Sequence, residues 1–322
     1  MSFLLATFLL ILMGNIIIVT ITLVDHRLQT PMYFFLRNFS FLETCFTLVI
    51  IPRFLYRLLT GRKAISRPTC LLQSFFFFFL GSSVFFHLAV MSFDRYVAIC
   101  NRLHYITVMR NRVCLYLVLG CWLVSFLLLL PTTVLFVHFG FVACTVTACW
   151  ISQMTFCGPD EIDHFFCDYA PLVKLSCSDT HPMVLVTFLF SSILTLPPFL
   201  LTLTSYVCII ATIHRISSTA GRQKAFSTCS SHLIVVTLYY GTLIFVYLLP
   251  DTGTLRDLHK ALSLFYTILT PLANPLIYSL RNREVKEALR KAASEAVNFR
   301  TNKLFFLLNT GTPAVRKSYL YE

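Results

Sequence analysis

The stretch CLLQSFFFFFLGSSVFFHLAVMSFDRYVAIC, residues 70–100, decides the fold. Between residues 71 and 93 it carries no Asp, Glu, Lys or Arg. A helix needs about 20 mostly apolar residues to cross a hydrocarbon core, and this run is long enough. It closes on Asp94-Arg95-Tyr96. Charges at a membrane edge are expensive unless used, so ionisable groups there are functional candidates. Cys70 precedes Arg95 by a helical rise of about 37 Å, a full bilayer height. One helix thus holds a disulfide candidate at one end and a charge pair at the other.

The rest of the chain repeats the pattern. Of 322 residues, 57% are apolar and only 12% charged, with 32 phenylalanines. Soluble domains sit near 45–50% apolar, and this chain has too little polar surface to cover a soluble core. Seven stretches qualify as spans, at about 3–24, 32–56, 71–99, 115–137, 183–213, 226–249 and 261–280. The first is too long for a signal-peptide core and lacks a basic start. No repeat of 20–50 residues is visible. The expectation is an all-α membrane protein, a seven-transmembrane helix bundle over 1–292 followed by a cytoplasmic tail over 293–322. Residues 281–296 read as a short amphipathic, basic helix lying along the membrane, with Leu280, Val285, Ala288, Leu289 and Ala292 near helical spacing.

Charge sets the orientation. The connections after the first, third and fifth spans, with the tail, hold 18 of the 26 Lys and Arg residues; the opposite side holds eight. An excess of Lys and Arg in short loops marks the cytoplasm, so the N-terminus is expected outside. The net charge of +12 is therefore a matter of topology and anionic membrane lipids, with no nucleic acid as partner. No phosphate-binding glycine loop, His-Glu-x-x-His or Cys-x-x-Cys is present. An enzyme is not expected, and no metal or cofactor. A transporter is the alternative for seven apolar spans, yet transporters show internal repeats and mid-membrane charges. Here Glu43 is the one acid well inside a span.

Asn274-Pro275-Leu276-Ile277-Tyr278 lies in the last span. Proline frees backbone carbonyls there, which Asn and Tyr can re-satisfy. With Asp94-Arg95-Tyr96 this resembles the rhodopsin-like, G-protein-coupled receptors. Finer motifs are similar to the olfactory branch: PMYFFL at 31–36, MSFDRYVAIC at 91–100, KAFSTCSSHL at 224–233, and 271–282. The resemblance covers about residues 10–292, apart from one internal segment.

The resemblance implies an odorant receptor of the plasma membrane. A small volatile binds between the outer halves of spans three, five, six and seven and favours an open inner face. The partner implied is a heterotrimeric G protein of the stimulatory, olfactory type that raises cyclic AMP. Asp94, Arg95, Tyr96, Asn274, Pro275 and Tyr278 are then the coupling residues. The ligand set expected is Phe77, Phe78, Gly81 and Ser82 from span three, then Tyr240, Leu243, Ile244 and Tyr247 at i, i+3, i+4, i+7 spacing on span six, and Thr267 from span seven. No member is charged, which argues for a neutral ligand. Cys70, Cys157, Cys167 and Cys177 fall on the outer side, where disulfides persist. Four cysteines allow three pairings. The resemblance implies Cys70–Cys167 and Cys157–Cys177, and a bonded Cys167 supplies no thiolate to a metal beside His164.

Three departures from the family pattern stand out. Few residues precede Asn15, and the one Asn-x-Ser match, at Asn38, lies on the inner side. Val84 stands where the family has an acid facing Glu43. An ionised carboxyl left alone at that depth costs at least ~2.5 kcal/mol, so Glu43 needs donors; Asn15 and Asn274 are the expected ones. Finally, Trp122 to Cys157 is longer than usual by roughly a dozen residues, the excess falling near 140–154. An apolar segment of that length is too short to cross a core needing roughly 20 residues. It is therefore placed outside, where it exposes apolar surface and favours retention in the endoplasmic reticulum. A poorly trafficked or non-signalling relic of the family is the alternative to a working receptor. Surface staining should rise in a version lacking 140–153 and carrying a glycosylated leader; equal staining would count against retention. A tag at Thr147 should be cut by protease on intact cells.

Overall fold

The computed structural model describes residues 2–61, 67–129, 181–248, 264–281 and 284–292, with Leu262, Ser294, Asn298 and Thr301 as isolated positions. Residues 130–180, 249–261 and most of the tail lie outside the described residues. So do the 140–154 segment, Cys157, Cys167 and Cys177.

The helices are α1 (Ser2–Val24), α2 (Pro31–Thr60), α3 (Arg67–Cys100), α4 (Asn111–Leu129), α5 (His181–Arg215), α6 (Thr219–Leu248) and α7 (Thr270–Arg281). A short helical stretch over 284–292, α8, follows α7. Five of these contain windows long and apolar enough to cross a membrane: α1, α2, α3 from Leu72, α4, and α5 from Ser191. α6 and α7 complete the bundle; α7 itself spans 12 residues. The helices close into a ring, α1 against α2 and α7, and α6 against α5 and α7. α3 runs through the middle and touches α2, α4, α5 and α6.

Polarity is distributed inside out. Leu9, Leu10, Met13 and Ile16 on α1, Leu119 and Leu123 on α4, and Leu200, Leu203 and Val207 on α5 are exposed. Glu43, Ser83, His87, Ser92, Asp94 and Asn274 are buried. Water would favour the reverse arrangement. In lipid, polar groups must find partners within the protein. Accordingly Thr7, Thr22, Ser92 and Thr212 donate to the carbonyl one turn back in their own helices.

Helix ends outrun the apolar runs read from sequence. α2 continues to Thr60 and stops where Gly61 adopts a left-handed backbone, φ 67°, with its N–H bonded to the Arg57 carbonyl. α6 begins at Thr219, where the hydroxyl of Ser218 accepts from the N–H of Gly221. Hydropathy marks the lipid slab, whereas helical hydrogen bonding continues into water. The connection between α5 and α6 is therefore reduced to residues 216–218.

Between α1 and α2, a single 3-10 turn over His26–Leu28 is tied by Asp25, which accepts from the backbone and guanidinium of Arg27. That pairing holds the Asp25 carboxyl below its usual range. α7 is preceded by a π turn over Phe265–Leu269 and contains Pro275.

α1 and α7 pack closely at Gly14. A Cβ there would lie 2.9 Å from the Cβ of Pro275. Gly120 on α4 has open space at the same point. Gly14→Ala should therefore destabilise the protein by ~1–3 kcal/mol through overpacking, read as a lower melting temperature in detergent. Gly120→Ala should be neutral or stabilising, since alanine favours helix. Equal melting temperatures for the two would contradict this packing.

Candidate functional site

Three levels along α3 carry the chemistry. At the upper level, Phe85 of α3, Phe199 of α5 and Tyr240 of α6 form an aromatic cluster. Tyr240 lies 5.5 Å from Phe85 and 5.0 Å from Phe199 between ring centroids. Helical spacing puts Phe78 and Ser82 on the same stripe of α3 as Phe85. Ser82 is buried, its hydroxyl donating to the Phe79 carbonyl.

Of the ligand residues expected from sequence, Phe77 packs against Phe46 of α2 at 5.6 Å. Gly81 faces the same ring, its Cβ position 3.9 Å away. Phe79 turns instead to Trp122 and Phe126 of α4. The phenylalanine run thus encircles the helix, as consecutive residues must. Tyr240 is buried within the aromatic cluster. Thr267 is buried in the π turn before α7, with its hydroxyl 3.5 Å from the Leu264 carbonyl. Leu243, Ile244 and Tyr247 belong to α6, but their side chains lie outside the described residues. Sequence reasoning missed Phe85 and Phe199. Phe85 follows Ser82 at i+3 and was within reach of the same periodicity; Phe199 carried no comparable signal.

The middle level is Glu43. It is buried on α2, and one carboxyl oxygen accepts from the hydroxyl of Tyr239 on α6 and from Asn274 Nδ2 on α7. Three helices therefore meet at one atom. Asn274 is one of the two donors expected. Asn15 is not the other: its amide donates to the carbonyl of Ile11 in its own helix. Tyr239 takes that place. Val84 is buried among the apolar contacts of α3.

The lower level is the Asp94-Arg95 pair. Both are buried, and Arg95 bonds Asp94 through two guanidinium nitrogens. The second Asp94 oxygen accepts from Tyr105 Oη at 2.9 Å. Tyr105 sits on the single helical turn Tyr105–Val108, just past α3. Burial, then the neighbouring Asp94 carboxylate, raises the pKa of the Tyr105 hydroxyl. It therefore stays a donor.

Tyr206 of α5 and His232 of α6 stack beside this pair, with Oη and Nδ1 2.6 Å apart. Tyr96 instead stacks on Phe93. Pro275 packs against Gly14 of α1, and the buried hydroxyl of Tyr278 has no partner among the described residues. Cys70 is disulfide-bonded, and its partner lies outside the described residues.

The family model described as olfactory receptor matches residues 4–296. Human olfactory receptor 6C4 is 46% identical over 295 residues, covering 92% of this chain and 91% of that protein. Mouse olfactory receptor 6E1 is 47% identical over 297 residues, covering 92% and 90% respectively. Human olfactory receptor 10A7 is 46% identical over 295 residues, covering 92% and 89%.

Tyr239→Phe should remove one donor from a buried carboxyl and lower stability by ~1–3 kcal/mol. Combined with Glu43→Leu it should cost less than the sum of the single changes, because contacting partners couple by about 0.5–3 kcal/mol. Additive melting shifts would mean that the bond does not form in the membrane.

Proposed function

The chain belongs to the olfactory receptor family, and from that premise we propose that it binds a small volatile in the upper part of the bundle and passes the signal to a G protein below. α3 is the observation that carries the reading. One helix bears Phe85, in contact with α6, and Arg95 a helical rise of about 15 Å further on. Any ligand that shifts Tyr240 relative to Phe85 acts on the helix pair that encloses the lower site. It can move the equilibrium only by its difference in affinity for the two states.

Phe78, Ser82 and Tyr240 are the ligand contacts this reading favours, with Leu243, Ile244 and Tyr247 continuing the α6 stripe and Thr267 entering from α7. The stripe is aromatic, has few polar groups and holds no charge, which suits a neutral odorant. The G protein is of the stimulatory type and raises cyclic AMP. The receptor sits in the plasma membrane with its N-terminus outside, by the Lys and Arg excess on the other face. The outer loop is closed by Cys70–Cys167 and Cys157–Cys177. The extra residues at 140–154 slow delivery from the endoplasmic reticulum.

Arg95→Ala should abolish the cyclic-AMP response to an agonist found in a volatile screen, at unchanged surface level and unchanged agonist binding. A full response from Arg95→Ala would reduce the charge pair to a membrane anchor. Phe78→Ala and Ser82→Val should shift the agonist concentration dependence without abolishing coupling. Unchanged dependence in both would move the ligand site off this stripe.

A further inference from the structure

A cavity lies away from both the aromatic stripe and the charge pair. It has a volume of about 350 Å³ and sits between the turn joining α1 to α2 and the start of α4. Gln29, Thr30, Arg37 and Asn111 supply its polar groups; Leu28 and Phe34 supply apolar ones. Arg37 is half-buried over the ring of Phe34, 5.1 Å from its centroid. Among the described residues no carboxylate lines the cavity. The acid of this turn, Asp25, is already engaged by Arg27.

The surroundings add positive potential. Neither α2 nor α4 has an acid of its own in its first turn; the start of α2 meets the Glu284 carboxylate through Tyr33, and the start of α4 keeps its partial positive charge beside Asn111. Arg110 and Arg112 flank Asn111 and are exposed. Beside the cavity, α4 turns Leu115, Tyr116 and Leu119 outward, a surface suited to an acyl chain. A half-buried guanidinium that meets no acid among the described residues, near exposed apolar side chains of the same helix that lines the cavity, suits a ligand with an anionic head and an apolar tail. Basic pockets at this depth on the cytoplasmic side suit phosphorylated lipid headgroups.

We propose that this cavity binds the phosphorylated headgroup of an anionic inner-leaflet lipid, with Arg37 as its principal cation. The consequence is a receptor whose cytoplasmic ends of α2 and α4 are held together by lipid. The inference rests on the inward orientation argued above. Both faces of a nanodisc are accessible, however, so the binding measurement does not depend on orientation in the cell.

The test titrates fluorescent dioctanoyl phosphatidylinositol bisphosphate against the full chain in phosphatidylcholine nanodiscs. Arg37→Gln should weaken binding roughly fivefold, the effect of about one basic residue near an anionic surface. Asn111→Glu changes an exposed residue, leaves packing intact and should weaken binding to a similar degree. Arg27→Gln, at a guanidinium already engaged by Asp25, should bind as the native chain does. Soluble inositol trisphosphate should compete poorly, because it lacks the tail that α4 receives. Native affinity in both Arg37→Gln and Asn111→Glu overturns the proposal. Displacement by inositol trisphosphate at equal concentration overturns it too, by assigning the cavity to a free phosphate. A full cyclic-AMP response from Arg95→Ala, with Arg37-dependent lipid binding intact, would defeat the signalling reading alone.

Discussion

The carboxyl of Glu43 is where α2, α6 and α7 are tied to one another, and the interior of the bundle is arranged around it. Lipid offers no hydrogen bonds, so a buried carboxyl must be served by the protein. Tyr239 and Asn274 both reach the same oxygen. Each donor comes from a different helix, so the bond has no meaning within any single element. Among the described residues α3 supplies no donor to that carboxyl. Its Val84 is buried and joins the core through apolar contacts.

That division lets α3 serve two ends. Its upper half is aromatic on every side, with Phe77 directed to α2, Phe79 to α4 and Phe85 to α6. Its lower half ends in a charge pair neutralised within two adjacent residues and capped by Tyr105. A helix packed on four neighbours cannot shift without disturbing them, because packed interiors are close to crystal density. The contact of Phe85 with Tyr240 and the stacking of Tyr206 on His232 place α6 beside both ends.

The rim around the turn between α1 and α2 follows different physics. There the helices outrun the slab, side chains meet water and headgroups, and charge is handled locally. Asp25 with Arg27, and Tyr33 with Glu284 at 2.6 Å, fasten the turn after α1 and the start of α2 to their surroundings. Tyr33 belongs to the PMYFFL stretch. Its hydroxyl links α2 to α8 across 251 residues of chain. Arg37, a few residues along the same helix, meets no such acid among the described residues.

Much of this was legible in the chain itself. Span length, the inside-out distribution of polarity and the position of Asp94-Arg95-Tyr96 follow from composition and order, because the bilayer imposes one thickness and one solvent on every helix. The motifs named the family for the same reason: they are local strings. Asn274 was legible as a donor to Glu43, since a mid-membrane acid demands one. Tertiary structure decided the rest. Asn15 and Asn274 look alike in sequence, yet only Asn274 points at the acid; Asn15 bonds its own helix. Tyr239 and Tyr240 are neighbours, yet one serves Glu43 and the other joins Phe85 and Phe199. A helix turns about 100° per residue. Periodicity says which residues share a face, and only the rotation of each helix against its neighbours says what that face meets.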